Sequence, residues 1–573
     1  MGNDQPTWQI AAARKREDRA SRLEPYDHWS LNHLAPPSQK NVTSLAHARL
    51  TDRERTFLAS DVTDLAHRLA TQECTALEVT TAFCKATYAA QELTNCVTGV
   101  MFAQALDRAR ELDAHLSETG KVVGPLHGVP VSIKNHISVK GEDTACGYVA
   151  WIGKVAEDDA TIVRVLRAAG AVIYVKTTNP QALYALETSS NIYGLTTNPY
   201  NRDLSSGGSS GGEGALIGSR ASLLGVGTDI GGSIVSSKHR LMSLENMTDI
   251  CASRAWCGLY ALKPSGYRLP SSGLVTPYQG QEDIALITGP LAHSIRDLEL
   301  FCRVILGYQP WNIDVNALSI PWNQSLAESG SEKLVVGLFT DDGIVAPHPP
   351  LVECLQNARD ALVAAGHEVI DWVPVDHTPG IELLVKYYGM DGGEALRAPL
   401  VESGEPAIPL IQDLLDIVQG TTNHHVSESW ATNIKRDQIR ARVLKQWNET
   451  SSQSKSGRPI DAILCPTTAT LAAPHGTTKW AGYSNYWNLL DLPAAVFPVD
   501  VFDAKRWKSG VHLPPPVPRN PIEELVASQW DPDKYDGSPI GLQLVGQRWQ
   551  EETLIAHLRV VDAVVNRSNK ASG

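Results

Sequence analysis

Residues 205–233 read SSGGSSGGEGALIGSRASLLGVGTDIGGS, two glycine–serine clusters separated by an apolar run at 223–226. The run has the character of a buried strand, so residues 228–233 are predicted to form an elbow at its end. Glycine beside serine lets backbone N–H groups approach a ligand without an intervening Cβ. The N–H groups of Ile230, Gly231, Gly232 and Ser233 can then converge on one developing oxyanion. A flexible linker does not explain the pattern, because apolar residues flank both clusters and a linker has no need of Thr228-Asp229-Ile230 between glycines. A phosphate-cradling loop fails too: G-x-x-x-x-G-K-[ST] is absent and no lysine follows Gly232.

Working outward, the chain alternates helix and strand patterns from Asp61 onward. Thr75 is placed to cap a helix whose apolar stripe includes Leu77, Val79 and Phe83. A strand is expected at 97–102, then a helix through Ala105, Ala109 and Leu112 ending near Gly120. Residues 129–133 form a short strand that delivers Lys134 to its end. Asp158 is expected to cap a helix at 160–169, closed by Gly170 ahead of a buried strand at 171–175. The same grammar returns as a strand at 334–339, a helix at 350–365 and a strand at 367–373. Near-continuous apolar strands between helices predict an α/β fold with its sheet covered by helices. Residues 1–60, polar and with a helix near Trp8 to Leu23, read as an N-terminal helical arm on a main domain spanning 61–573. The proline-rich run 512–521 is expected to be a surface loop.

Composition narrows the function. A formal net charge of −13 argues against a nucleic-acid surface, which needs clustered Lys and Arg. Nine cysteines without a CxxC pair read as reduced thiols in a cytoplasmic protein. No stretch is apolar enough for a transmembrane segment or an export signal. No His/Cys/Asp cluster has ligand spacing, so no metal or cofactor is expected, and His136 reads as a packing residue.

A serine nucleophile needs a base, and none of the 17 histidines falls within residues 205–233. Lys134 at its strand end is the candidate, useful only if burial disfavours its charged form. A surface lysine after a strand is the competing reading, and spacing alone does not decide between them.

The segments GPLHGVPVSIK (124–134), SGGSSGGEG (206–214) and GTDIGGSI (227–234) resemble the three signature blocks of the amidase signature family. Residues 461–467, 488–498 and 541–546 extend the resemblance, and HPP (348–350) and SGEPAIP (403–409) are similar to stretches of fungal acetamidases and general amidases. The resemblance implies the amidase signature fold, α/β with a mixed β-sheet core covered by helices on both faces, and a hydrolase acting on small aliphatic or aryl carboxylic amides through an acyl-enzyme. It implies Ser233 as nucleophile, Ser209 as a bridging serine preceded by a cis peptide, and Lys134 as base. It further implies oxyanion donors at Ile230, Gly231, Gly232 and Ser233, with Leu183 and Ser209 bordering the substrate. The implied partner is a small amide, with a homodimer left open.

One stretch departs from the family. After the nucleophile the family continues with Arg, an apolar residue and Pro, and soon reaches Cys-Gly; here Cys257 comes 24 positions past Ser233. The extra stretch, 235–251, is polar and displaces the expected Arg, the charge partner of Asp229; Arg240 and Arg254 are the candidate replacements. An unspliced intron is expected in preference to a surface loop: Val235-Ser236 can be encoded by GTAAGT, and Met247-Thr248-Asp249 by codons containing CTGAC. Two alternatives follow: a fatty-acid-amide-hydrolase-like enzyme, which needs a longer apolar channel, and a product catalytically impaired by the insert. An amidotransferase subunit is disfavoured by the acetamidase-like C-terminal half.

Overall fold

The computed structural model describes residues 7–32, 36, 38–229, 250–330, 333–418, 425–512 and 516–572. Among them the centre is an eleven-stranded mixed sheet. Its strands are β1 (Val97–Val100), β2 (Pro130–Lys134), β3 (Val172–Thr177), β6 (Leu224–Asp229), β7 (Tyr260–Lys263), β8 (Ile287–Ala292), β9 (Val335–Leu338), β10 (Glu368–Asp371), β11 (Ala462–Pro466), β12 (Ala494–Val501) and β13 (Pro539–Val545). The small strands β4 (Ser189–Ser190) and β5 (Gly194–Leu195) pair apart from it. The order is β1-β3-β2-β6-β8-β7-β12-β13-β11-β9-β10. The triplets β3-β2-β6 and β11-β9-β10 are parallel, and the pairs between them are antiparallel. The expected α/β fold with a mixed sheet is what the chain adopts.

Strand periodicity explains the layering. Successive side chains point to opposite faces of a sheet. Val336, Leu338, Leu464, Phe497 and Leu544 accordingly join one large core, while Val335, Ile463, Cys465, Val496 and Val545 join a second. Helices cover both faces because both are apolar. The helix Ala76–Thr94 starts at the expected cap: Thr75 and Glu78 form a reciprocal capping box, worth about 1 kcal/mol by comparison with an alanine cap.

Several boundaries differ from the sequence reading. The strand expected at 97–102 stops at Val100, and Phe102 opens the helix Phe102–Thr119. The helix Thr161–Ala168 has Ala160 at its N-cap, with no side-chain cap; Asp158 does not supply one, and neighbouring Asp159 accepts from Lys140 N–H instead. Pro521 does not end a loop but begins the helix Pro521–Ser528, where a missing N–H costs nothing. Thr228 and Asp229 belong to β6 rather than to a turn beyond it.

The helix Thr7–Leu23 is tied down by its cations. Arg19 donates to Asn95 Oδ1 and Val97 O, Arg22 to Glu142, and Lys15 pairs with Asp143. No helix among the described residues is long and apolar enough to cross a membrane. The eight described cysteines are free thiols.

Candidate active site

Strands β2 and β6 run parallel and adjacent, so their carboxyl ends emerge together. Lys134 is the last residue of β2 and is fully buried. Its Nζ lies 2.7 Å from Ser209 Oγ and donates to Thr228 Oγ1, on β6, at 3.0 Å. Burial pushes the Lys134 pKa down from 10.5 to about 7, against the opposing pull of the Asp229 charge. A large fraction of Lys134 is therefore neutral at neutral pH, as a base requires. The surface-lysine reading is excluded by this burial.

Ser209 sits in the loop before the helix Gly211–Gly218. The Gly208–Ser209 peptide bond is cis, as the resemblance implied. A Cβ at Gly208 would overlap the Ala185 carbonyl oxygen, so only glycine lets this loop lie against the 185–187 backbone. Thr188 clamps the loop from both sides, its Oγ1 donating to Gly207 O at 2.9 Å and accepting from Gly211 N–H at 3.1 Å. Ser205 N–H adds a 2.8 Å bond to Ala473 O. Beneath Lys134, buried Glu213 accepts from Ser132 Oγ at 2.6 Å and Thr177 Oγ1 at 2.8 Å, and burial raises its pKa to about 7.

Leu183 closes a single 3-10 turn, Gln181–Leu183. Ala182 (φ 63) and Leu183 (φ 68) are both left-handed, a conformation non-glycine residues rarely hold without support. The support comes from the SGEPAIP segment. Buried Glu405 accepts from Gln181 Nε2, Asn191 Nδ2 and Val149 N–H, while Gln181 Oε1 accepts from Ile408 N–H. Next to Leu183, Tyr184 stacks edge-on with Tyr278 and Tyr388, ring centroids 5.1 and 5.5 Å away. Tyr388 lies within electrostatic reach of Asp229. The Tyr184 hydroxyl is buried without a partner among the described residues.

Asp229 ends β6. Its Oδ1 accepts from Asn488 Nδ2 at 2.7 Å, whereas Oδ2 has no partner among the described residues. Arg254 does not fill the gap: its guanidinium is fully buried, and none of its three nitrogens finds a partner there. Ile230, Gly231, Gly232, Ser233 and Arg240 lie outside the described residues, as does the insert apart from the backbone of its last residues, 250–251.

The structure thus brings Lys134 and Ser209 together, and Leu183 lies two residues ahead of the 185–187 backbone against which Gly208 packs. Sequence reasoning missed Thr228 as a second partner of Lys134, the Glu405 clamp and the tyrosine cluster. A polar residue near the end of an apolar strand was the available signal for Thr228. His136 was read as packing; it is buried but bonded through both ring nitrogens, to Val275 O and Thr228 Oγ1.

Comparison with known proteins decides the family. The amidase family profile matches residues 78–236 and 252–555, leaving 237–251 unmatched between the two stretches. The chain belongs to the amidase signature family. It is an amide hydrolase. An acetamidase of Emericella nidulans is 37% identical over 557 residues, covering 96% of this chain and 97% of that one. An acetamidase of Aspergillus oryzae is 35% identical, with 96% and 97% covered. Among solved amidase signature folds, a fatty acid amide hydrolase superposes with a TM-score of 0.87 at 31% identity, covering 97% of this chain and 95% of that one. A bacterial aryl acylamidase of the same family gives 0.67 at 18% identity, covering 90% of this chain and 98% of that one, which supports the fold alone.

Proposed function

We propose that this amidase hydrolyses small aliphatic or aryl carboxylic amides through a Ser233–Ser209–Lys134 relay and an acyl-enzyme. The observation that carries the reading is the 2.7 Å contact between Lys134 Nζ and Ser209 Oγ, made by a lysine that burial holds near half deprotonated at neutral pH. Neutral Lys134 takes a proton from Ser209, which takes one from Ser233 as its oxygen attacks the amide carbonyl. The N–H groups of Ile230 to Ser233 receive the oxyanion, a contribution of about 3 kcal/mol per donor. The relay then runs backwards: Lys134 returns its proton through Ser209 to the leaving nitrogen. Amides need that proton, since an amide anion is too poor a leaving group. Water next attacks the acyl-enzyme with the same base assisting, and releases the acid.

The test of the relay is Ser209→Ala. It is expected to lower kcat by roughly 10²–10⁴-fold, the range of a lost proton-transfer group, with KM changed little. An unchanged kcat would show Lys134 acting on Ser233 without Ser209.

The tyrosine cluster beside Leu183 and the acetamidase relatives support a small or aryl acyl group. A fatty-acid-amide-hydrolase-like specificity is the second reading, favoured by the similarity to that solved structure. Competing turnover of acetamide, benzamide and a long-chain amide separates the two, the long-chain amide being expected as the slowest.

The unmatched stretch bears on activity. Asp229 Oδ2 and the whole Arg254 guanidinium are buried without a hydrogen-bond partner among the described residues, a costly arrangement for a charged group. Replacing 235–251 with a short segment of Arg, an apolar residue and Pro is expected to raise kcat by about 10²-fold or more, the scale of one restored oxyanion donor, and to raise Tm with it. Equal kcat and Tm in the full-length and shortened proteins would identify the stretch as a tolerated loop. Sequencing cDNA across codons 230–260 tests the intron reading directly.

A further inference from the structure

His136, two residues beyond Lys134, has a role that neither packing nor the Ser–Ser–Lys relay accounts for. Its Nδ1 lies 2.8 Å from Val275 O, and its Nε2 lies 2.6 Å from Thr228 Oγ1. A carbonyl oxygen only accepts, so Nδ1 carries a proton. Burial holds the His136 pKa well below its ordinary value, and the Lys134 charge acts in the same direction, so the ring is neutral and has no second proton. Nε2 is then bare and accepts, and the Thr228 hydroxyl donates to it. A hydroxyl has one proton. Toward Lys134, 3.0 Å away, Thr228 can therefore only accept.

We propose that His136 is a positioning residue: by holding the Thr228 proton, it bars Thr228 from the Lys134 lone pair and leaves that lone pair to Ser209. The proposal rests on the reading of Lys134 as the base. A neutral amine has two N–H groups and one lone pair. One N–H goes to Thr228, and among the described residues the hydroxyl proton left within reach of the lone pair is that of Ser209 at 2.7 Å. Without His136, Thr228 can turn its proton onto Lys134 and compete with Ser209. The charged and titratable groups facing Lys134 are Asp229, Glu213, Cys146 and Arg254, and Lys176 faces His136 from β3. None of them bonds to the ring.

The test is steady-state hydrolysis of benzamide by the full-length protein from mildly acidic to alkaline pH. The variants are His136→Phe, His136→Gln, Thr228→Val and the His136→Phe/Thr228→Val pair, with Lys134→Ala as control. His136→Phe is expected to lower the kcat plateau by roughly tenfold, the scale of one misdirected hydrogen bond, with KM within about twofold. His136→Gln, whose amide can donate to Val275 O and accept from Thr228, is expected to recover kcat to within about threefold of wild type. Adding His136→Phe to Thr228→Val should change nothing further, because the hydroxyl it controls is gone. The acidic limb of the profile separates this role from loosened packing. Hydration of Lys134 would move the limb from about 7 toward 10.5, whereas a proton donated by Thr228 to the neutral amine leaves it in place or lowers it.

Multiplying losses in the double variant, a limb that moves up, a wild-type kcat in His136→Phe, or no recovery in a folded His136→Gln protein would each overturn the proposal. Should the phenylalanine variant fail to fold, His136→Leu removes the same two hydrogen bonds with a smaller side chain. A fully active Lys134→Ala protein would instead overturn the base assignment itself.

Discussion

Ser233→Ala is expected to abolish acyl-enzyme formation and to lower kcat by about 10⁴–10⁶-fold, the loss seen when a serine nucleophile is removed from a preorganised site. Only one hydroxyl is lost, so Tm should stay within experimental error of wild type. The size of the effect follows from the relay: Lys134 and Ser209 have no acyl acceptor without it. β6 ends at Asp229, four residues before Ser233, and its Thr228 lies 3.0 Å from the Lys134 amine. Mass spectrometry of the variant after incubation with a slow substrate checks the claim. A covalent acyl adduct still forming on another residue would remove Ser233 from the mechanism.

Lys134→Ala carries the second large effect. At neutral pH kcat should fall by about 10²–10⁴-fold, the range for loss of a positioned general base, and the deficit should shrink as pH rises and hydroxide partly replaces the amine. In the wild-type protein kcat/KM should climb through about pH 7 as Lys134 loses its proton. The same shift has a stability consequence. Between about 7 and 10.5 the unfolded chain holds a Lys134 proton that the folded chain has given up, so stability rises with pH across that window. Lys134→Ala should remove this part of the slope. Melting curves at neutral and alkaline pH read it out, and an unchanged slope would mean that the lysine keeps its proton when folded.

Much of the fold was legible because its strands are short apolar runs between cappable helices. The Thr75 cap, Gly120 and Gly170 stand where their spacing put them. The misreadings are local. Asp158 looked like a cap, but the chain enters its helix at Ala160, and Met101 ends β1 early because Phe102 turns inward as the first residue of a buried helical stripe. The strand order was not legible, since register across non-consecutive strands leaves no local trace.

The site divides in the same way. Lys134 was a candidate base that spacing alone left undecided, and Ser209 took its role from the resemblance of its glycine–serine cluster to an amidase signature block. Glu405 and Tyr388 act on the site from far along the chain, and nothing near Lys134 predicts that they fold against the Leu183 loop. His136 was visible, but its bonds depend on where Val275 and Thr228 arrive in three dimensions.

The most direct test of the account is a fluorophosphonate probe on the full-length protein, with the adduct mapped by mass spectrometry across pH. One adduct on the peptide containing Ser233, formed faster as pH rises through about 7 and lost in Lys134→Ala, is the predicted result. Labelling at another residue, or labelling at Ser233 that is indifferent to Lys134, would contradict a serine nucleophile driven by that buried lysine.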